Sequence, residues 1–184
     1  MTHRIAVIAG SIRKGSFNRM MAKALCGLAP QSLSCEFTEI AQLPMYNQDL
    51  DGSPPKEWTD FKARIKGSDG ILFVTPEYNR SIPGVLKNAI DVASRPYGQS
   101  AWEGKPCAVM SVTPGGLGAF GANHHLRQCF VFLDMPAMQQ PEGYVSGASK
   151  LFDDQGSLTN EDTRKFAGKF MEAFARWVEV NRRR

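Results

Sequence analysis

The stretch Ile5-Ala6-Val7-Ile8-Ala9-Gly10-Ser11-Ile12-Arg13-Lys14-Gly15-Ser16-Phe17-Asn18 decides the fold. Its first five residues are continuously apolar, the pattern of a strand buried on both faces. A polar, glycine-bounded loop follows. From Phe17 onward Met20, Met21, Ala24 and Leu28 recur at helical spacing, and Pro30 stands beyond the end of that stripe. The order strand, loop, helix aims the positive end of a helix dipole and its unpaired N–H groups at the loop. Ser11, Arg13, Ser16 and Asn18 supply hydroxyls, a guanidinium and an amide there, so an anion, most commonly a phosphate, is expected.

The familiar phosphate loops do not match. A dinucleotide GxGxxG would need Gly where Ile12 stands, and a Walker loop would need Gly-Lys-Ser/Thr, whereas Gly15 is followed by Ser16. No cysteine has an arginine six residues later, which removes the Cys-x5-Arg phosphatase loop.

Working outward, Ile71–Thr75 and Ala108–Thr113 are two more doubly buried strands. Ser34–Ile40 alternates, and Met135–Met138 contains Pro136, so both read as edge strands. Helical stripes fall between them. Ser53-Pro54 resembles an N-cap followed by proline, with Trp58, Phe61 and Ile65 inward, Lys62 and Lys66 outward, and Gly67 as the stop. Pro83-Gly84 opens a helix that buries Leu86, Ala89, Ile90 and Ala93. Another runs from near Gly118 towards Phe130. Thr159-x-x-Asp162 resembles a capping box for the last, which carries Phe166, Phe170, Phe174 and Trp177. Strand–helix alternation with strands 2 and 5 at the edges predicts an α/β protein with a five-stranded parallel sheet of order 2-1-3-4-5 and helices on both faces. Its switch point lies between strands 1 and 3, which puts a ligand between Gly10–Phe17 and Pro76–Arg80.

The chain has 184 residues, 42% apolar and 22% charged, with four cysteines and a net charge of +4. Length and lack of a linker suit one domain over residues 1–184, with 179–184 as a flexible basic tail. The charge is uneven. Residues 1–35 hold five cations and no acid, Arg182–Arg184 hold three more, and the stretch between is acidic. That distribution argues against a nucleic-acid surface. No apolar run has the length of a membrane span, so no insertion is expected. The dispersed cysteines read as free thiols of a cytoplasmic protein. Adjacent His124 and His125 point about 100° apart on a helix and make a poor metal pair, so no metal site is expected.

Two further loops follow neighbouring strands at the same end. Pro76-Glu77-Tyr78-Asn79 offers a stiff backbone, an aromatic face and amide donors to a planar ring. Thr113-Pro114-Gly115-Gly116-Leu117-Gly118 lets a backbone approach a flat ligand where a Cβ would collide.

Gly10–Asn18, Pro76–Asn79 with Pro83–Asp91, and Gly115–Gly118 together resemble the NADPH-dependent FMN reductase family, over about Ile5 to Val178. The resemblance implies a flavodoxin-like three-layer sandwich and bound FMN. Its phosphate would be held by Ser11, Arg13, Ser16, Phe17 and Asn18. Its ring would lie beside Pro76, Glu77, Tyr78 and Asn79 and against Gly115 and Gly116, with Ser111 or Thr113 lining the same pocket. It also implies NADPH or NADH as hydride donor, a small acceptor such as a quinone, azo dye, chromate, ferricyanide or free flavin, and a homodimer or homotetramer whose neighbouring chain closes part of the site. The cofactor would carry the chemistry, so no catalytic side chain is needed. Two other readings stand at this point: a flavodoxin-type electron carrier without NAD(P)H turnover, and a phosphate-ligand domain without flavin.

Overall fold

The structure, a computed structural model, describes residues 1–182. Five strands, β1 (His3–Ala9), β2 (Leu33–Phe37), β3 (Gly70–Thr75), β4 (Cys107–Val112) and β5 (Gly143–Val145), form one parallel sheet of order β2-β1-β3-β4-β5. Helices α1 (Phe17–Gly27), α2 (Lys56–Lys66), α3 (Gly84–Ser94), α4 (Phe120–Phe132) and α5 (Glu161–Asn181) connect and follow them.

Side-chain alternation along the central strands divides the core in two. Ile5, Val7, Leu72, Val74, Ala108 and Met110 face α1 and α5, where they meet Met21, Leu25, Phe170 and Phe174. Ala6, Ile8, Ile71, Phe73 and Val109 face the other helices and meet Phe61, Ile65, Leu86, Leu126 and Phe130. Both faces are covered, which is why these strands read as unbroken apolar runs. Each large side chain taken fully out of water stabilises the fold by about 1.5–3 kcal/mol before entropy is counted.

Several boundaries differ from the sequence reading. The fifth strand is Gly143–Val145, paired with Met110–Val112. Met135–Met138 instead makes one bridge at the start of β4, where the Cys107 N–H donates to the Pro136 carbonyl (2.9 Å) and the Met138 N–H to the Cys107 carbonyl (2.8 Å). Pro136 and Pro141 lack the N–H groups a continuous strand needs, so the edge is split and its sheet-forming part is only three residues long. α2 starts at Lys56 behind Pro55 (φ −54°, ψ 148°), because the second proline of Pro54-Pro55 holds its predecessor extended. α5 is capped by Asn160, whose Oδ1 accepts from the Thr163 N–H at 2.9 Å, one residue later than the Thr159 box. In α1 the buried residues are Asn18, Met21, Ala22 and Leu25, while Met20 and Ala24 are half-buried. Residues 179–182, expected in a flexible tail, are instead held: α5 runs through Asn181, Glu179 pairs with His3 (2.5 Å), and Arg182 approaches Asp69 (3.9 Å). Arg183 and Arg184 lie outside the described residues.

The short β5 depends on a close approach. A Cβ on Gly143 would stand 2.9 Å from the Val109 carbonyl oxygen and 3.0 Å from Met110 Cα, both backbone atoms that cannot swing away. Gly143→Ala is expected to lower unfolding free energy by about 1–3 kcal/mol, read as a lower urea midpoint at unchanged slope.

Candidate functional site

The carboxyl ends of β1, β3 and β4 stand side by side, Ala9 opposite Val74 and Thr75 opposite Ser111. Gly10 continues the ladder with an N–H to the Val74 carbonyl at 2.8 Å, and a Cβ there would lie 2.9 Å from Thr75 Oγ1. The first loop therefore leaves the sheet pressed against the second.

In this first loop Ser11 and Ser16 are buried and Gly15 takes a positive φ of 65°. Ser16 is the N-cap of α1; its Oγ accepts from the Arg19 N–H at 3.4 Å. No carboxylate occupies the first turn of α1, so the positive end of its dipole has no acid of its own there. The Arg13 guanidinium folds over its own loop, donating to the carbonyls of Lys14 (3.2 Å) and Gly15 (2.8 Å), and lies 5.6 Å from the centre of the Phe17 ring. Asn18 is buried in the first turn. Its Nδ2 donates to the Val112 carbonyl (3.1 Å), which ties α1 to the end of β4, while its Oδ1 is buried without a partner. A lone buried acceptor is costly to leave bare and suits a hydroxyl donor.

The second loop turns sharply. Tyr78 and Ser81 exchange both backbone hydrogen bonds at 2.9 Å, and Asn79 (φ 52°) and Arg80 (φ 65°) between them are both left-handed. Tyr78 is 52% exposed and Asn79 is exposed, so both face outward. Glu77 is placed differently from the sequence expectation. Its carboxylate accepts from the Ala122 N–H of α4 (3.0 Å) and meets Arg80 (3.4 Å). α4 needs this outside cap because its own N-cap, Ala119, has no side chain that can accept and sits at φ 56°. The side chain of Glu77 is thus committed to the helix, which leaves its main chain and Pro76 at the cleft.

In the third loop Gly115 and Gly116 are exposed, and a Cβ on Gly116 would meet nothing within 4 Å. The Gly115 N–H bonds to Thr113 Oγ1 at 3.2 Å, and Ser146 Oγ donates to the Gly116 carbonyl at 3.0 Å. The loop is held from behind and presents bare backbone in front. Ser111 lies beneath this loop. It is fully buried, and its hydroxyl binds the Gly118 carbonyl at 2.6 Å, with the Gly143 carbonyl at 3.2 Å, so it braces the loop from inside the sheet.

Sequence reasoning missed the bracing residues because their partners are distant in the chain. Asn123, buried on α4, donates to Ser111 Oγ and the Gly143 carbonyl (both 3.2 Å) and accepts from Arg127 Nε (3.0 Å). Arg127 also donates to the Met138 carbonyl (3.0 Å) and so clamps the split edge. Asn88 pins the long 42–55 connection by accepting from the Tyr46 N–H (2.8 Å) and donating to the carbonyls of Leu43 and Pro44. His124 and His125 work apart: His124 Nε2 lies 2.8 Å from Tyr144 Oη and His125 Nδ1 2.6 Å from Ser81 Oγ. Tyr144 is pushed up to about 12 by burial, with its bond to Glu142 adding to the shift.

A cavity of about 210 Å³ lies on the β2 side of the first loop, lined by Ser11, Arg13, Lys14, Arg19 and Thr38 among others. Arg19 closes it with a two-pronged bond to Glu39, one prong 2.9 Å long. That bond holds the Glu39 carboxyl below its ordinary value of 4.5, with partial burial opposing.

These parts suit a molecule with an anionic end, a hydroxyl-bearing middle and a flat ring. Such a molecule has the composition of a flavin mononucleotide. Comparisons with known proteins agree. The chain is 58% identical over 181 residues to a quinone reductase of Pseudomonas putida, covering 98% of this chain and 97% of that one. It is 47% identical to a 2-hydroxy-1,4-benzoquinone reductase of a Burkholderia species, covering 99% and 100%. The solved structure of FerB, a flavoenzyme NAD(P)H:(acceptor) oxidoreductase of Paracoccus denitrificans, superposes with a TM-score of 0.93 at 41% identity over 99% of this chain and 100% of that one.

Two outcomes test the geometry. Glu77→Ala removes the tertiary cap of α4 and is expected to cost about 0.5–2 kcal/mol of stability, measured by urea unfolding. Arg19→Met tests the pair beside the cavity. Because the folded Glu39 value is depressed, its contribution is fully present above 4.5 and is lost as pH falls through the lower folded value. Wild type is therefore expected to lose more stability than the variant between about pH 6 and about pH 3.

The model of the NADPH-dependent FMN reductases matches residues 3–150, a span that holds all three loops, and the chain belongs to that family.

Proposed function

We propose that the chain is an FMN-dependent NAD(P)H oxidoreductase that passes an electron pair to a quinone-type acceptor. The family match across all three loops carries this reading. FMN, when bound, accepts hydride from NAD(P)H and returns the electron pair to the acceptor.

The protein's part is to hold and orient. The first turn of α1, with Ser11, Ser16, Phe17 and Asn18, holds the phosphate and the start of the ribityl chain, and the Arg13 guanidinium shapes the loop around them. The main chain of Pro76–Asn79 borders one ring edge, and Tyr78 stands beside it as an exposed aromatic surface. Gly115 and Gly116 support a ring face. Buried Ser111 supports this shelf from beneath, and Glu77 fixes the second loop to α4.

Two finer features belong to the same proposal. Tyr97, Leu117, Phe120, Val131 and Phe132 are each more than half exposed, and such an apolar surface favours a homodimer or homotetramer. The four cysteines are free, which suits the cytoplasm. Among the described residues no helix is long and apolar enough to cross a membrane.

The decisive assay reconstitutes the protein with FMN and follows NADPH and NADH oxidation by benzoquinone. Alternate binding of donor and acceptor at one shelf gives parallel double-reciprocal plots; no acceleration by added FMN defeats the proposal. Gly116→Val tests the shelf without disturbing the fold, since the added atoms have open space. It is expected to weaken FMN binding by about tenfold or more, roughly 1.4 kcal/mol, while the apoprotein Tm stays unchanged.

A further inference from the structure

The second loop breaks a local rule. Tyr78 and Ser81 exchange both backbone hydrogen bonds across a two-residue turn, and both turn residues, Asn79 (φ 52°) and Arg80 (φ 65°), are left-handed. Asparagine suits the first position of such a turn; the second ordinarily falls to glycine, because a Cβ is strained there. Among the described residues four other than glycine take a positive φ, and three of them, Asn79, Arg80 and Ala119 (φ 56°), belong to the second loop and the start of α4. Strain of this kind gathers at ligand clamps, where one side chain has to stand in one place.

The guanidinium that this turn carries is not consumed by the fold. The Glu77 carboxylate that meets it already accepts from the Ala122 N–H at 3.0 Å and reaches Arg80 only at 3.4 Å. The Glu77 side chain is 13% exposed and the Arg80 side chain 75%, so the acid serves the helix while the cation faces water. Gly121 keeps the turn close to α4: a Cβ there would stand 2.9 Å from the Arg80 carbonyl oxygen. Because α4 continues from the third loop, Arg80 stands where the second and third loops meet, two residues from the exposed ring of Tyr78.

Resting on the function proposed above, we infer that Arg80 and Tyr78 select the acceptor, and that the preferred acceptor is a quinone carrying an anionic substituent such as an ionised hydroxyl, a carboxylate or a sulfonate. The planar guanidinium offers paired N–H donors to an oxyanion, and the aromatic face of Tyr78 offers contact to the quinone ring. A neutral quinone has only the second of these contacts. No proton or electron passes through either side chain; both act on binding.

The test compares FMN-loaded wild type, Arg80→Gly and Arg80→Lys with 1,2-naphthoquinone and its 4-sulfonate as acceptors. Glycine removes the cation and is unstrained at φ 65°, so the apoprotein Tm is expected not to fall. In Arg80→Gly the KM for the sulfonate is expected to rise about three- to fivefold more than the KM for the neutral quinone in dilute salt, with Arg80→Lys between the two. That difference is expected to shrink as salt approaches about 1 M, where the screening length falls to about 3 Å. Naphthalene-2-sulfonate, which carries the anion but no quinone, is expected to perturb the flavin spectrum of the wild type and to bind Arg80→Gly several-fold more weakly. Equal changes of KM for both quinones, or sulfonate binding indifferent to Arg80→Gly, would overturn the inference and leave the reductase function standing. A wild type that reduces neither quinone would overturn both.

Discussion

Burial of β1, β3 and β4 on both faces is the constraint on which the rest depends. A strand covered on both sides has no polar face to show to water, so its neighbours must be parallel and its connections must be helices. Those helices have to divide between two layers, α1 and α5 on one side and α2, α3 and α4 on the other. The division occurs between β1 and β3, where successive connections leave in opposite directions. Topology of this kind favours a crevice there, at the carboxyl ends of the strands, without any residue being selected to make it. The two-core arrangement thus creates the place in which the first and second loops meet.

What fills that place is mainly backbone. The first loop contributes a helix end left without an acid, the third a glycine shelf, and the second a tight turn through two left-handed residues. Side chains act largely by holding these main-chain shapes. Ser111, with no exposure, bonds the carbonyl behind the shelf, and Glu77 substitutes for the cap that Ala119 cannot provide. A neutral hydrogen bond of this kind contributes only about 1 kcal/mol net, but leaving either partner buried and bare costs about 1–3 kcal/mol, so such braces come as satisfied sets. An enzyme of this family leaves the electron chemistry to its cofactor, and precision in backbone position is what remains for the protein to supply.

Much of this was legible along the chain. The three apolar runs, the helical stripes between them and the edge character given to the second and fifth strands are local patterns, and together they lead to the 2-1-3-4-5 order. The loop at Gly10–Asn18 declared itself by hydroxyls and cations with no carboxylate among them, and the opening charge asymmetry is that same helix end. Boundaries were less legible. Pro54-Pro55 moved a helix start by two residues, and the expected edge strand Met135–Met138 makes only a bridge, while the fifth strand is Gly143–Val145, three residues and too short to show a period.

The sequence by itself determined the fold class, the position of the crevice and the identity of the loops that border it, because hydrophobic period and loop composition act between residues close in the chain. Only the tertiary structure decided which members of those loops face the crevice. Glu77 and Ser111 have the polarity of ligand-binding residues, yet their oxygens are taken by Ala122 and by Gly118 and Gly143. The clamp made by Asn123 and Arg127 belongs to the same class. Each depends on where a second element lies in space, and composition and spacing within one segment carry no record of that distance.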